Sequence, residues 1–509
     1  MTLTIDNQLI SLAELRKAWL APVEIAIGGD ARHRIAESCE YINEIVSEGR
    51  EVYGVNTGFG KLANVHIADE ELVHLQENLV RSHAVGVGED LDDAIVRLVM
   101  IMKVIALAEG FSGVRPELVD MLCQLINHEI YPRIPSQGSV GASGDLAPLA
   151  HLAGALIGTG EVRMNGTLMP AHVALEEAGL APLTLAPKEG LALINGTQVS
   201  TALALAAVFR CENLLSAALV AGAMSVDATK GSDTPFDRQI QNVRGHGGQI
   251  AVASVLRELM RGSEIRASHV GCDHVQDPYS LRCQPQVIGA CLDVLRHVCA
   301  VLETEANAVT DNPLVFAESS SVMSGGNFHA EPVAFAADYL ALAIAEIGAM
   351  SERRVALLID PQMSELPAVL VEDSGLKSGF MLVQVTAAAL ASENKSLAHP
   401  ASVDSLPTSL NQEDHVSMAT FAARRLHPML DNVVNIVAIE LLAATQGIEF
   451  HRPKHSSMPI EGAVTAVREV SPHYSEDRSL APDIARVAAL IDKGVFCEHA
   501  ASVLPAQSS

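Results

Sequence analysis

"AFAADYLALAIAEIGAMSERRVALLID", residues 334–360, decides the fold class of this chain. Apolar residues recur at helical spacing, no proline interrupts them, and alanine supplies much of the apolar surface. Alanine loses no side-chain entropy on entering a helix, so it favours helix formation. Apolar residues on more than one side of a helix belong at the centre of a bundle. Similar patterns fill "DDAIVRLVMIMKVIALAEG" (92–110), "RPELVDMLCQLINHEI" (115–130), "QVTAAALASENKSL" (384–397) and the segment from Val416 to Gly447. Acidic residues open the first of these and Gly110 stops it, while Pro116 falls in a first helical turn, where its missing N–H is tolerated. Strand candidates are short: 51–60, and a hairpin over 160–170 that turns at Asn165-Gly166. The expected architecture is mainly α with a few short strands. A smaller, mostly helical N-terminal part covers residues 1–110, and a long-helix part covers 111–509.

Bulk composition narrows the function. Of 509 residues 49% are apolar but only 4% aromatic, which again favours closely packed helices over aromatic-rich sandwiches. With 34 basic against 61 acidic residues the net charge is −27, which argues against nucleic acid as a partner. The eight cysteines form no C-x-x-C pair, so free thiols in a reducing cytoplasm are expected. The 19 histidines show no H-E-x-x-H or comparable spacing, and no metal is expected. The N-terminus lacks a basic segment followed by an apolar run, so no secretory signal is read there. The most apolar window, "LALINGTQVSTALALAAVF" (191–209), carries Asn, Gln, Ser and Thr and runs into Arg210. It reads as a buried helix after a polar turn, not a membrane span.

Short polar stretches between the helices carry Tyr, His, Asn, Gln, Arg and Glu, side chains that plain connections do not need. The densest is "GSVGASGDLAPLAH" (138–151), with three glycines in its first seven residues. A phosphate cradle would need a following Lys or a G-x-G-x-x-G after a strand, and neither is present. A nucleophile elbow would need G-x-S-x-G, which "GASGD" does not match. Ser143 or Asp145 capping a helix from Leu146 is the plain structural reading. Ring closure is the fourth. The nitrogen of Gly144, accessible because glycine has no Cβ, attacks the carbonyl carbon of Ala142. Loss of two waters, one carrying the Ser143 hydroxyl, then leaves a methylidene group conjugated to an imidazolone, an electrophile made from backbone.

In this stretch and others the chain resembles the methylidene-imidazolone-dependent aromatic amino acid ammonia-lyases. The resemblance continues through "YGVNTGFG" (53–60), "NGTQ" (195–198), "QDPYSLRCQPQ" (276–286), "NPL" (312–314), "GGNFH" (325–329) and "NQEDHVSM" (411–418), in consistent order from Tyr53 to Met418. It implies long antiparallel helices forming a central bundle of the fumarase/aspartase-like type. It also implies an electrophile (MIO) formed autocatalytically from Ala142, Ser143 and Gly144, with no external cofactor. A homotetramer whose active sites are completed by more than one chain is implied as well. Carried over residue by residue, Tyr53 takes the β-proton, Arg282 clamps the substrate carboxylate, and Asn195 assists the carboxylate or the cofactor ring. Tyr279 stands beside that ring, and Gln276 and Phe328 complete the pocket wall.

Two stretches are similar to the histidine branch of the family: "RSHAVG" (81–86) and "NQEDHVSM", with Glu413. An imidazole offers a donor and an acceptor and needs polar partners, whereas a carboxylate facing a phenyl ring would be an unpaired charge. L-Histidine is therefore the implied substrate, with trans-urocanate and ammonia as products. His83, Glu413 and Met381 are expected around its ring. A tyrosine or phenylalanine ammonia-lyase or aminomutase using the same electrophile is the nearest alternative, and a non-catalytic helical scaffold is a more distant one. Taken singly, Tyr53 reads as a core tyrosine, His83 as a helix-end histidine, Arg282 as an ion-pair partner of Asp277, and Glu413 as a solvated loop acid. The ordered set outweighs these readings for Tyr53, Asn195, Arg282 and Glu413. His415, Asp145 and Asn312 read as supports of the loops.

Overall fold

Helices begin and end where sequence chemistry puts them. Asp93–Ala108 follows an acidic first turn and stops before Gly110, whose φ of +79° breaks the helical path. Pro116–Asn127 starts on its proline, and Glu331–Leu358 and Met381–Leu397 cover the two alanine-rich segments. The polar turn 195–197 precedes a 31-residue helix, Gln198–Ala228. The computed structural model describes residues 2–58, 67–269 and 275–507. Phe59 and Gly60 of the "YGVNTGFG" stretch and Cys272 lie outside the described residues. None of the seven described cysteines forms a disulfide.

The chain divides into two compact units: Met1–Ala206 with Ala300–Asp338 and Pro400–Arg424, and Ala207–Cys299 with Tyr339–His399 and Arg425–Ser509. Residue 110, the expected division, lies inside the first unit, where helices Asp93–Ala108 and Pro116–Asn127 pack on each other. In Asp93–Ala108 nearly every side chain from Ile95 onward is buried, each large apolar one contributing roughly 1.5–3 kcal/mol. Arg97, on the same helix, donates to the carbonyls of Ala18 and Trp19 and so satisfies the end of helix Leu12–Leu20.

The described strands of the first unit are short. Thr2–Ile5 pairs in parallel with Glu24–Ile27, and Leu314–Phe316 pairs with Ser321–Met323. The hairpin Glu161–Met164/Thr167–Pro170 turns at Asn165 and Gly166, both at positive φ, and Ile130–Pro132 adds a third strand. Val87–Asp90 pairs with Pro135–Gln137, which leads directly into Gly138. The expected strand at 51–60 is instead a turn over its described part: Asn56 Oδ1 accepts from Val52 N–H while its Nδ2 donates to Arg50 O. That side chain closes the backbone locally, so no ladder partner is needed.

In the second unit, Leu426–Glu449 packs against Met381–Leu397 and Ala481–Asp492. Helices Gly247–Met260 and Gln284–Ala306 meet at Gly248 and Gly289, where a Cβ on Gly248 would stand 2.1 Å from the Gly289 carbonyl oxygen. Arg354 forms an ion pair with Glu440, both side chains fully buried, and Ser225 donates to the same carboxylate. Among the described residues three helices are long and apolar enough to cross a membrane, and protein buries 94%, 67% and 78% of the apolar windows in Gln198–Ala228, Glu331–Leu358 and Ala419–Glu449.

Candidate active site

Ala142-Ser143-Gly144 is held by segments distant in sequence. Val140 O accepts from Met418 N–H at 2.8 Å; Gly141 O accepts from Ser417 Oγ at 2.8 Å and from Ala330 N–H at 3.3 Å. Gly144 has φ +72° and lies against Gly196, whose carbonyl oxygen would be 2.2 Å from any added Cβ. Only glycine fits there, on conformational and steric grounds alike. Asp145 N–H donates to the same Gly196 oxygen at 2.8 Å.

Helix Leu146–Leu156 starts where expected, but the Asp145 side chain does not cap it. It is fully buried and accepts from Ser139 Oγ (2.8 Å), Thr420 Oγ1 (2.6 Å), Ser200 N–H (2.8 Å) and Ser200 Oγ (2.9 Å). Four donors offset the cost of burying the carboxylate and tie the loop to two other elements. Asp145 is thus a clasp rather than a cap.

Ser143 is half-buried, and its Oγ donates to Glu413 Oε1 at 2.5 Å. Thr408 Oγ1 donates to the other oxygen of Glu413, also at 2.5 Å. Glu413 is half-buried with both oxygens hydrogen-bonded, so it is neither the solvated loop acid of the plain reading nor a fully buried charge. Asn195 Nδ2 donates to Ser143 O at 2.9 Å, while its buried Oδ1 has no hydrogen-bond partner among the described residues. Ser143, Asn195 and Glu413 are the predicted residues that share hydrogen bonds at this loop.

Behind them lies a group that the motifs did not reveal. Lys103 is fully buried and donates to Asn195 O at 2.8 Å and Ala192 O at 3.2 Å. Burial pushes its ammonium down to about 8, against the pull of Asp311 and Asp145. Lys188 pairs with Asp311 at 2.6 Å, and Asn312 Oδ1 accepts from Gly325 N–H at 2.7 Å. A lysine amid "IVRLVMIMKVIALA" was the available signal: on an otherwise apolar helix it must bury its charge against something.

The other candidates in the first unit stand on separate elements. Tyr53 is half-buried on the turn closed by Asn56, and Val55 anchors that turn in a cluster with Tyr41, Ile42, Ile45 and Val315. His83 ends helix Leu72–His83 with Nδ1 2.8 Å from Leu79 O, and Phe328 is half-buried before Glu331–Leu358. Gln276, Tyr279, Arg282 and Met381 belong to the second unit. There the Arg282 guanidinium lies 4.6 Å from the centre of the Tyr279 ring, and its buried Nε has no hydrogen-bond partner among the described residues. Asp277, the expected ion-pair partner, instead accepts from Ser232 N–H at 2.7 Å. Tyr279 is 70% exposed, and Met381 and Gln276 are exposed as well.

The tripeptide fits a backbone-derived electrophile. Gly144 is sterically obligatory, Ala142 is buried without polar atoms to satisfy, and the Ser143 hydroxyl sits on a carboxylate. The orphaned Asn195 Oδ1 marks a place for a further donor beside it.

The model of the family described as aromatic amino acid lyase matches residues 10–469. Histidine ammonia-lyase of Desulfotalea psychrophila is 58% identical over 487 residues, covering 96% of this chain and 95% of that protein. The Vibrio cholerae protein of the same name is 57% identical with the same coverage. Among solved structures, histidine ammonia-lyase from Trypanosoma cruzi is similar with TM-score 0.91 and 41% identity, covering 99% of this chain and 96% of that one. A tyrosine aminomutase from Streptomyces globisporus gives 0.93 and 35%, each chain covered to 99%. By family model, sequence and fold, the chain belongs to the aromatic amino acid lyases, a family whose MIO-dependent members carry out their chemistry on such an electrophile.

Proposed function

We infer that this chain is a histidine ammonia-lyase, which eliminates ammonia from L-histidine to give trans-urocanate on an electrophile derived from Ala142, Ser143 and Gly144. The observation that carries the reading is the Ser143–Glu413 contact: a carboxylate in hydrogen-bonding reach of the atom that becomes the reactive carbon's former hydroxyl. Near-full-length likeness to bacterial histidine ammonia-lyases supports the same substrate. The methylidene-imidazolone would supply an electrophilic carbon that activates the substrate amine for departure.

The residues of the chain divide the remaining work. Asn195 donates to Ser143 O, the oxygen that becomes the ring carbonyl, and so draws electron density from the methylidene carbon. Lys103 fixes the backbone of Asn195. Ring formation removes the Ser143 hydroxyl as water, which deprives Glu413 Oε1 of its donor and frees it for an imidazole N–H. His83 and Met381 complete the ring's surroundings, with Gln276 and Phe328 as wall. Tyr53 takes the β-proton, Arg282 holds the carboxylate through its two-pronged guanidinium, and Tyr279 stands beside the electrophile.

Assembly into a homotetramer with shared active sites fits the outer helices. Phe335, Tyr339 and Leu342 are exposed on one face of Glu331–Leu358, as are Met381, Leu382 and Val385 on Met381–Leu397. Described cysteines outside any disulfide suit the cytoplasm. The test is incubation of the purified chain with L-histidine, L-tyrosine and L-phenylalanine separately, followed by ultraviolet absorption. Urocanate is expected. Coumarate or cinnamate would overturn the substrate assignment, and a β-amino acid product would make the chain an aminomutase.

A further inference from the structure

Two histidines and a glutamate outside the catalytic set meet in the first unit. His329 and His415 stack with ring centres 5.5 Å apart and an interplanar angle of 28°. Nε2 of His329 is 3.5 Å from Nδ1 of His415 and 3.3 Å from the His415 carbonyl oxygen, a contact that a metal would replace. Glu331 Oε2 is shut off from solvent with no hydrogen-bond partner among the described residues, the nearer His329 nitrogen lying 3.9 Å away. One donor atom from each residue falls within 4.8 Å of the others. We propose that His329, Glu331 and His415 form a binding site for a divalent transition metal of the zinc class.

The donor chemistry favours that occupant. Two neutral imidazoles and one carboxylate suit zinc, and a fourth position stays open to water. Two ligands each about 2.0 Å from a tetrahedral ion stand about 3.3 Å apart, close to the imidazole separation found here. A sequestered carboxylate oxygen without a donor is costly, and a cation would remove the cost. A hard ion such as magnesium or calcium would instead ask for a mainly oxygen-donor shell.

The site has a structural consequence. Ala330, between two of the proposed ligands, donates to Gly141 O; Met418, three residues after His415, donates to Val140 O. A bound metal would therefore cross-link the two segments that grip the Ala142–Gly144 loop, one of them carrying Glu413. Binding is read without turnover, so this proposal and the lyase reading fail separately.

The test uses the full-length chain, freed of metal by a chelator and titrated with zinc chloride against a chromophoric competitor. Wild type is expected to take up one zinc per chain and to melt at a higher temperature with zinc present. The double variant His329→Ala/His415→Ala should lose that zinc and the shift, and Glu331→Gln should bind more weakly than wild type. His415 is exposed and His329 half-buried, so circular dichroism should show the double variant folded. As a second measurement, X-ray absorption of the wild-type zinc form should report two imidazoles and one carboxylate. Equal zinc uptake by wild type and double variant, or none by wild type, overturns the proposal and leaves the two histidines as contacts of each other only.

Discussion

In the second unit Arg354 and Glu440 are buried and close on each other, so the charge is neutralised within a pair. In the first unit Lys103 and Asp145 are equally buried, yet their hydrogen bonds run to backbone groups and hydroxyls around one loop. A paired ion holds helices in register, and Ser225 is the hydroxyl that supplements it. A charge that ends on backbone fixes the path of a loop, which a chemical group made from backbone requires. Buried polarity thus serves packing in one region and preorganisation in the other.

The sharpest way to break this comparison is Ser143→Ala. It should cut kcat by about 10³-fold or more, because no electrophile can form, while the melting temperature stays close to wild type. Intact mass provides the companion readout, wild type weighing two waters less than its encoded chain and the variant showing no such deficit. Retained turnover or an uncyclised wild-type mass would sink the cofactor assignment. Arg354→Met should act in the opposite sense, costing about 3–5 kcal/mol in denaturant unfolding because Glu440 is left buried and unpaired. Its kcat per folded molecule should match wild type; a large fall would tie the second unit's ion pair to catalysis.

Smaller effects sharpen the same contrast. Glu413→Gln should lower kcat/KM for histidine by about 10²-fold with little change in stability, and unchanged kinetics would remove Glu413 from the substrate pocket. Lys103→Met has the subtlest signature. The lysine falls from 10.5 in the unfolded chain to about 8 in the fold, so the unfolded chain binds more protons between those pH values. Its contribution to stability is therefore full above 10.5 and lost as pH falls through 8, a change of up to about 3 kcal/mol. At neutral pH the relieved burial cost and the two lost hydrogen bonds oppose each other. The variant should show its effect as a flatter pH dependence of unfolding across that window; an identical slope would mean that Lys103 does not titrate there.

Helices were legible because periodicity and stop signals are local, as Asp93–Ala108 and Pro116–Asn127 show. Ala142-Ser143-Gly144 stood out because each residue type has its own task in the proposed ring closure, and the fold sets the Ser143 hydroxyl on Glu413. The turn at Tyr53 was mistaken for a strand because one side chain, Asn56, supplies the bonds that a neighbouring strand would have made. Asp145 was readable as a helix start and a loop support, but its partners were not, since Ser200 and Thr420 are 55 and 275 residues away. Lys103 and the His329–Glu331–His415 cluster have the same character: their partners are set by folding rather than by spacing.

Distance along the chain also governs timing. The loop ending at Asp145 is gripped by Gly196, Ser200, Ala330, Met418 and Thr420, all synthesised after it. During synthesis the tripeptide lacks those contacts, and Ser143 remains an ordinary serine. On the proposed function, its conversion would await nearly the whole polypeptide. The nascent chain is thereby spared a reactive carbon among its own lysines and cysteines, and the arrival of residue 420 acts as the safety catch.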